Sequence, residues 1–399
     1  MSSNWKYFRG VPFSVLIISS FLSVNVIAES NDCYVTDGME ESRNYLSSSF
    51  QWENDIGNSD RWYTNGMKYS RTKSQCADSD IFDKTALKLL QTNINQDIFL
   101  TSWVGGMNMY TPQNISIPTH QPNDRPWTGW AYFGREWKRT HIENVDPNGS
   151  TSYTPGDSDQ VQLLVGVLGS WAHQDSVQRT WHTLVGARDP KGWANQDSGK
   201  LGVSAAYTRE WQASFQPADV KGRLGVTVGN VVNQGVAGGS ISLTSNKFEI
   251  EDPTYLPIVA FASNKQISPA YNFIANEASN DHPEENSQIN LLSKLSNARK
   301  RWYQHSHSQF FLDVEARYIA SSTFISGTNV TIKPLVVDKK LGVAHKCANS
   351  DWTWRLSYLI RSPEFTYPAG GDAPVQKVWQ LSFEWDWGWV RNPYIAPNS

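Results

Sequence analysis

The 399-residue sequence predicts an all-β fold, a twelve-stranded antiparallel transmembrane β-barrel with a short helix in an extracellular connection. Three observations predict it. The first is period-2 alternation. In VWQLSFEWDW, Trp379, Leu381, Phe383, Trp385 and Trp387 share one face, while Gln380, Ser382, Glu384 and Asp386 share the other. FFLDVEARY, WRLSYLI and RLGVTVGN repeat the pattern. The second is composition: 18 Trp and 13% aromatic residues crowd the apolar face, and the other face is Gly, Ser, Thr, Gln and isolated charges. A soluble sandwich would turn a Lys- and Glu-rich face to water, so apolar-out and polar-in is the better assignment. The third is the N-terminus. Lys6 and Arg9 precede a mostly apolar run from Val11 to Val26, and Val26-Ile27-Ala28 offers a cleavage site after Ala28, as in a secretory signal.

The expected layout is a signal peptide at 1–28, a periplasmic N-terminal segment at 29–47, an outer-membrane barrel at 48–387 and a C-terminal tail at 388–399. Strands are expected near 48–56, 63–73, 95–106, 127–138, 159–169, 201–211, 222–232, 237–247, 308–320, 334–346, 352–361 and 376–387. Their even number suits a single-chain bacterial barrel. After the signal, no window is apolar enough for a membrane helix, and a net charge of −3 argues against nucleic acid. The polar segment 248–307, with its Pro and Asn clusters, reads as an extracellular loop. Its INLLSKLSNARKRW stretch, with Lys294, Arg299, Lys300 and Arg301, reads as a solvated helix in preference to a lipid-phosphate contact.

Strand parity then sets direction. A periplasmic mature N-terminus sends the first strand outward, so connections 1–2, 3–4 and 5–6 lie at the outer end. Connections 2–3 and 10–11 lie at the periplasmic end. Cys33, Cys76 and Cys347 all fall on that oxidising side, and their spacing matches no metal motif. Cys33 and Cys76 flank the first hairpin and are the expected pair.

Connection 5–6 contains HQDSVQRTWHTLVGARDPKGW. Asp175 or Ser176 can cap a short helix with an apolar stripe of Val177, Trp181, Leu184 and Val185, ended by Gly186. Gln178 and His182 share a different flank. Asp55 ends the first strand and Thr64 begins the second, both at the same end as His182. Asp, Asn and Thr offer the oxygen ligands that a hard cation such as Ca²⁺ prefers. An imidazole can take a proton from water while a cation stabilises the oxyanion of an ester. No G-x-S-x-G stretch supports a serine hydrolase. A purely structural turn remains an alternative for the hairpin, as does a solvated or structural His182. In connection 3–4, Asp124-Arg125-Pro126 reads as a loop clamp, or Arg125 reaches a phosphate. His305 and His307 read as a loop edge. By alternation Asp55 shares a face with Gln51 and Glu53 and points into the lumen, whereas Asn54 falls on the lipid side.

ENDIGNSDRWYTNG, MYTPQNI, NDRPWTGW, VQRTWHTLVG and GWANQ occur together, in order, between Phe50 and Trp211. This part of the sequence resembles the outer-membrane lipid A 3′-O-deacylases of the LpxR type; the C-terminal half resembles them mainly in strand pattern. The resemblance implies a bacterial outer-membrane barrel whose partner is lipid A, or lipopolysaccharide, in the outer leaflet. It implies Ca²⁺-dependent hydrolysis of the 3′-acyloxyacyl ester. Carried over by motif, His182 is the catalytic base, Asn54 and Asp55 match the first-strand Asn-Asp pair, and Thr64 matches the Thr of the hairpin's close. Asp55, Asn54 and Asp189 are the expected metal ligands. Two positions depart from the family. No Lys stands near Ile115 to Ile117, for which Arg125 is the expected substrate-binding substitute. The acid expected six residues after His182 is replaced by Arg188, and Asp189, one later, is the expected substitute, orienting His182 or ligating the ion. The competing functions are an outer-membrane phospholipase with a Ser nucleophile and a non-enzymatic barrel or porin.

Overall fold

The structure is a computed structural model that describes residues 43–55, 61–74, 80–92, 97–144, 153–215, 218–244 and 306–391. Its barrel strands are β1 (Arg43–Asn54), β2 (Trp62–Ser74), β3 (Asp97–Thr111), β4 (Thr128–Asn144), β5 (Tyr153–Leu168), β6 (Lys200–Phe215), β7 (Ala218–Gly229), β8 (Val232–Thr244), β9 (His307–Ser322), β11 (Leu335–Lys346), β12 (Trp352–Arg361) and β14 (Gln376–Arg391). They form a closed barrel in which β1 pairs antiparallel with β14. Closure leaves no strand edge to be satisfied in lipid. The short strands β10 (Thr331–Ile332) and β13 (Phe365–Thr366) pair separately.

The twelve expected strands are the twelve observed. The wall begins at Arg43 and ends at Arg391, a few residues beyond the expected 48–387. The signal peptide and Cys33 and Cys76 lie outside the described residues. Cys347 is a free, exposed thiol.

Alternation decides which way each side chain points. Along β12, Trp354 and Leu356 are exposed while Arg355 and Ser357 are buried. Along β14, Trp379 is exposed while Gln380, Ser382 and Glu384 are buried. The interior is therefore ionic. Arg223 pairs with Asp313 and Glu315, Lys68 with Glu136, and Arg361 with Asp338. Such charges are tolerated because each is paired and hydrogen-bonded.

At the end bearing the β1–β2 hairpin the interior turns apolar. Tyr63, Tyr110, Trp130, Leu168, Phe324, Val336 and Val378 belong to one buried cluster. Tyr110 and Phe324 stack with centroids 4.3 Å apart. The β9–β11 and β12–β14 connections, joined by the β10–β13 pair, cover this mouth.

Among the described residues there are two α-helices: α1 (Ile81–Leu89) in the β2–β3 connection and α2 (Gln174–Val185) in the β5–β6 connection. The sequence reading missed α1, although Asp80 caps it through Phe82 N and Asp83 N and Lys88 sits in its last turn. One expectation about the long polar segment is corrected. Its flanking strands meet at Thr244 and Gln309, at the end shared with α1 and Cys347. The segment therefore leaves the barrel from the end opposite the hairpin and α2, which the same parity makes periplasmic, not extracellular.

Candidate functional site

The hairpin end of β1 and β2 is built on an irregularity. Asn54 faces Asn65 across the pair. Asp55 N donates to Thr64 O at 3.4 Å, and Asp55 Oδ2 accepts from Arg61 N at 2.8 Å. Against β3 the register slips between Tyr63 and Asn65, a bulge at Thr64. Trp62 takes a left-handed backbone (φ 64°), and its indole N–H donates to Asp124 Oδ1 at 3.2 Å. Tyr63 points inward and donates to Glu53 Oε2 at 2.7 Å. Thr64 Oγ1 lies 2.8 Å from Thr111 Oγ1, both buried.

Helix α2 begins earlier than expected. A 3-10 turn, Gly169–Ala172, runs into His173 (φ 52°), and the helix starts at Gln174, not after an Asp175 or Ser176 cap. It ends at Gly186 (φ 68°) as expected. Its buried face is the polar one: Gln174, Gln178 and His182, four residues apart. The C-terminal part of its apolar stripe is exposed, with Leu184 77% and Val185 52% accessible. The helix lies on the outer surface of the wall, so its amphipathicity is inverted.

Three contacts fix that position. Gln174 Cγ fills the space beside Gly129 of β4, where a Cβ would come within 2.1 Å of it. Val177 packs on the cluster of Met109, Ile115, Trp127 and Trp193. Trp181 packs edge-on against Trp52 of β1, with centroids 6.3 Å apart. The lipid side of β1 therefore faces the helix that carries His182. Asn54 is two residues beyond Trp52 on that face, so its lipid-side orientation suits the site. His182 is 5% accessible, and its Nδ1 is held by the main-chain carbonyl of Arg188.

The sequence reading did not assign roles to Gln174 or Trp193. Trp193 Nε1 donates to Gln178 Oε1 at 2.6 Å, and its ring packs on Trp127. Lys191 N donates to Ile115 O at 2.8 Å, tying the α2 connection to the β3–β4 connection. Asp197 N donates to Trp127 O at 3.0 Å, and Asp197 O accepts from Ser170 N at 2.9 Å. Burial pushes the Asp197 carboxyl up, against the Thr128 hydroxyl and the Lys200 charge. The i, i+4, i+8 polar stripe of α2 is the signal that could have revealed its buried face.

Arg125 has the contacts of a loop clamp. It is fully buried: its Nε donates to Phe324 O and its Nη1 to Glu364 Oε2, each at 2.9 Å. Its guanidinium lies 4.6 Å from the Tyr110 ring centroid. It braces the mouth, and its burial keeps it from a lipid phosphate. Asp124 accepts from Trp62, Gln113 N and Arg125 N. Ile115 is buried and apolar where the resemblance leads one to expect a cation.

Asp189 is exposed. Among the described residues, no three His, Cys, Asp or Glu converge as a metal cluster. Asp55 is thus the one buried carboxylate among the three expected ligands, with the amide of Asn54 beside it in sequence. These oxygen donors fit a hard cation in kind, and their low charge fits weak binding.

The LpxR outer membrane protein family model matches residues 15–387. No curated protein matches the chain. Among solved structures, LpxR from Salmonella typhimurium is 14% identical with a TM-score of 0.55, covering 85% of this chain and 99% of its own. The NanC porin is 5% identical with a TM-score of 0.33, covering 85% of this chain and 98% of its own. The β-domain of the Bordetella autotransporter BrkA is 7% identical with a TM-score of 0.34, covering 86% and 98%. The match over nearly the whole length, on a closed barrel, makes this chain an outer-membrane protein of the LpxR family.

Proposed function

We propose that the protein modifies lipid A by hydrolysing its 3′-acyloxyacyl ester, with His182 as general base. The observation that carries this reading is the placement of His182. It lies on the polar face of a helix that packs on the outside of the wall, while Leu184 and Val185 face outward. A lipid in the outer leaflet reaches such a site laterally, with no passage through the barrel.

The chemistry follows from the Arg188 contact. A carbonyl only accepts, so Nδ1 carries the proton and Nε2 is the basic atom. Nε2 takes a proton from water as the water oxygen bonds to the ester carbonyl carbon. The tetrahedral oxyanion then collapses, breaking the bond to the 3′ oxygen. The imidazolium returns its proton to that oxygen, releasing a fatty acid and a 3′-hydroxyl. Asp55 and Asn54, with Asp189 as outer donor, would hold Ca²⁺, which when bound supplies stabilisation of the oxyanion. Thr64, tied to Thr111, sets the hairpin. The main-chain bond from Lys191 to Ile115 brings a lysine to the connection where the resemblance leads one to expect a cation, a candidate for the phosphate contact.

Mass spectrometry of lipid A from cells with the wild type, His182→Ala or no protein tests the reading. Loss of the 3′ chain with the wild type alone is expected. Unchanged lipid A with fatty acid released from phospholipid would sink it in favour of a phospholipase. A porin reading is disfavoured by the apolar, ion-paired mouth around Phe324 and Arg125.

A further inference from the structure

Helix α1 has no part in the proposed chemistry, yet it too lies on the outer wall. Lys68 and Glu136 pair inside the barrel, and Ser102 faces Glu136 across β3 and β4. The neighbouring rows, Thr101 with Trp137 and Trp103 with Arg135, therefore face outward. These are the residues α1 covers. Asp83 accepts from Trp137 Nε1 at 2.6 Å and pairs with Arg135, which also pairs with Asp80. Ala86 and Leu90 pack on Phe99 and Trp137.

The side of α1 turned away from the wall is amphipathic in its own right. Ile81, Phe82 and Leu89 are 75%, 58% and 66% accessible. Phe82 and Leu89, a helical heptad apart, share one flank; Lys84 and Lys88, four apart, share the other. On β3 the row covered by α1 at Thr101 and the cluster covered by α2 at Met109 are eight residues apart. At ordinary strand rise and barrel tilt that is roughly 21 Å along the axis, less than the ~25 Å apolar band of an outer-membrane barrel. The two helices therefore stand at the margins of the band, and the exposed apolar side of α1 continues the lipid-facing surface of Phe133 and Leu163.

We propose that α1 lies in the periplasmic-leaflet interface of the outer membrane and retains anionic phospholipid there. Phe82 and Leu89 enter the acyl chains, and Lys84 and Lys88 sit at the level of the phosphates. Asp80 and Asp83, the acids that would repel those phosphates, are both drawn to Arg135 on the wall, Asp83 buried and Asp80 at the helix cap.

The test uses the full barrel refolded in vesicles of phosphatidylethanolamine and phosphatidylglycerol. A form carrying Cys33→Ser, Cys76→Ser, Cys347→Ser and Leu89→Cys is labelled at position 89 with a nitrobenzoxadiazole fluorophore. Several-fold stronger quenching by a shallow doxyl-phospholipid than by aqueous iodide is expected. Quenching by iodide alone overturns the proposal. The unlabelled wild type and a Lys84→Gln/Lys88→Gln variant are compared by native mass spectrometry after release from the same vesicles, which does not depend on the cysteine replacements. The wild type is expected to retain phosphatidylglycerol preferentially and the variant to lose at least half of it. Equal retention overturns the headgroup assignment.

Discussion

The main-chain carbonyl of Arg188 holds the Nδ1 of His182. Position 188 is an arginine where the family resemblance leads one to expect an acid; on the proposed mechanism the carbonyl fixes the imidazole tautomer that leaves Nε2 as the base. Arg188→Ala should therefore keep activity within a few-fold, whereas His182→Ala should lower kcat by about 10²–10⁴-fold. Initial rates of fatty-acid release from purified lipid A measure both. A collapse of activity in Arg188→Ala equal to that in His182→Ala would show that the side chain does the orienting.

Gly129 and Gln174 set the seat of α2. A methyl group at 129 would come within 2.1 Å of Gln174 Cγ and 3.3 Å of Asn108 O. Gly129→Ala must lift the N-terminal turn of α2, at an overpacking cost of about 1–3 kcal/mol. Activity should fall at least ten-fold while the barrel keeps its heat-modifiable mobility on gels. Full activity would mean that Gln174 swings aside without moving His182.

Trp193 holds Gln178 on the same buried face. Trp193→Phe keeps most of the ring packing on Trp127 and leaves the amide oxygen of Gln178 without that donor, a cost of about 1–3 kcal/mol. A drop in kcat with little change in KM is expected, because the amide sits one helical turn before His182. Kinetics on dispersed lipid A would separate this from a binding defect, which would raise KM alone.

The fold was legible because β-barrel alternation is a direct consequence of two solvents on two faces. Trp379, Gln380, Leu381 and Ser382 suffice to tell inside from outside on β14. Alternation does not carry over to α2, where lipid as well as water surrounds the helix. Of its apolar stripe, Val177 and Trp181 pack on the barrel while Leu184 and Val185 stay exposed. Here the polar stripe of Gln174, Gln178 and His182 turns to the wall. Alternation puts Asn54 on the lipid side of β1, and that is the side the helix covers through Trp52. Arg125 could not be placed from sequence, since its partners Phe324 and Glu364 are about 200 or more residues away.

The calcium proposal carries a magnitude. Asp55 is the only buried carboxylate among the expected ligands. A site of such low charge belongs with weak oxygen sites, with half-saturation at about 0.1–1 mM. Activity should vanish in excess chelator and return with millimolar Ca²⁺, with no change in far-ultraviolet circular dichroism. Full activity in chelator would remove the metal from the reaction. Asp189→Asn should raise the half-saturating concentration if its exposed carboxylate reaches the ion, and leave it unchanged otherwise.

Glu364 makes the mouth sensitive to acid. Burial acts to raise its carboxyl, but Arg125, Arg361 and Arg317 outweigh it and hold it below the ordinary value of 4.5. A carboxylate with a depressed folded value contributes stability that is present above its unfolded value and lost as pH falls through the folded one. The mouth should therefore be insensitive to pH near neutrality and loosen below about pH 4.5. Glu364→Gln leaves the buried Arg125 and Arg361 without that anion, at a cost of about 3–5 kcal/mol. The variant should melt lower at neutral pH and lose this contribution to acid sensitivity. In planar bilayers the wild type, plugged by Phe324 and braced by Arg125, should pass little ion current at neutral pH, and Glu364→Gln should pass more. Steady porin-like conductance from the wild type would show that the mouth is open and Glu364 is not its brace.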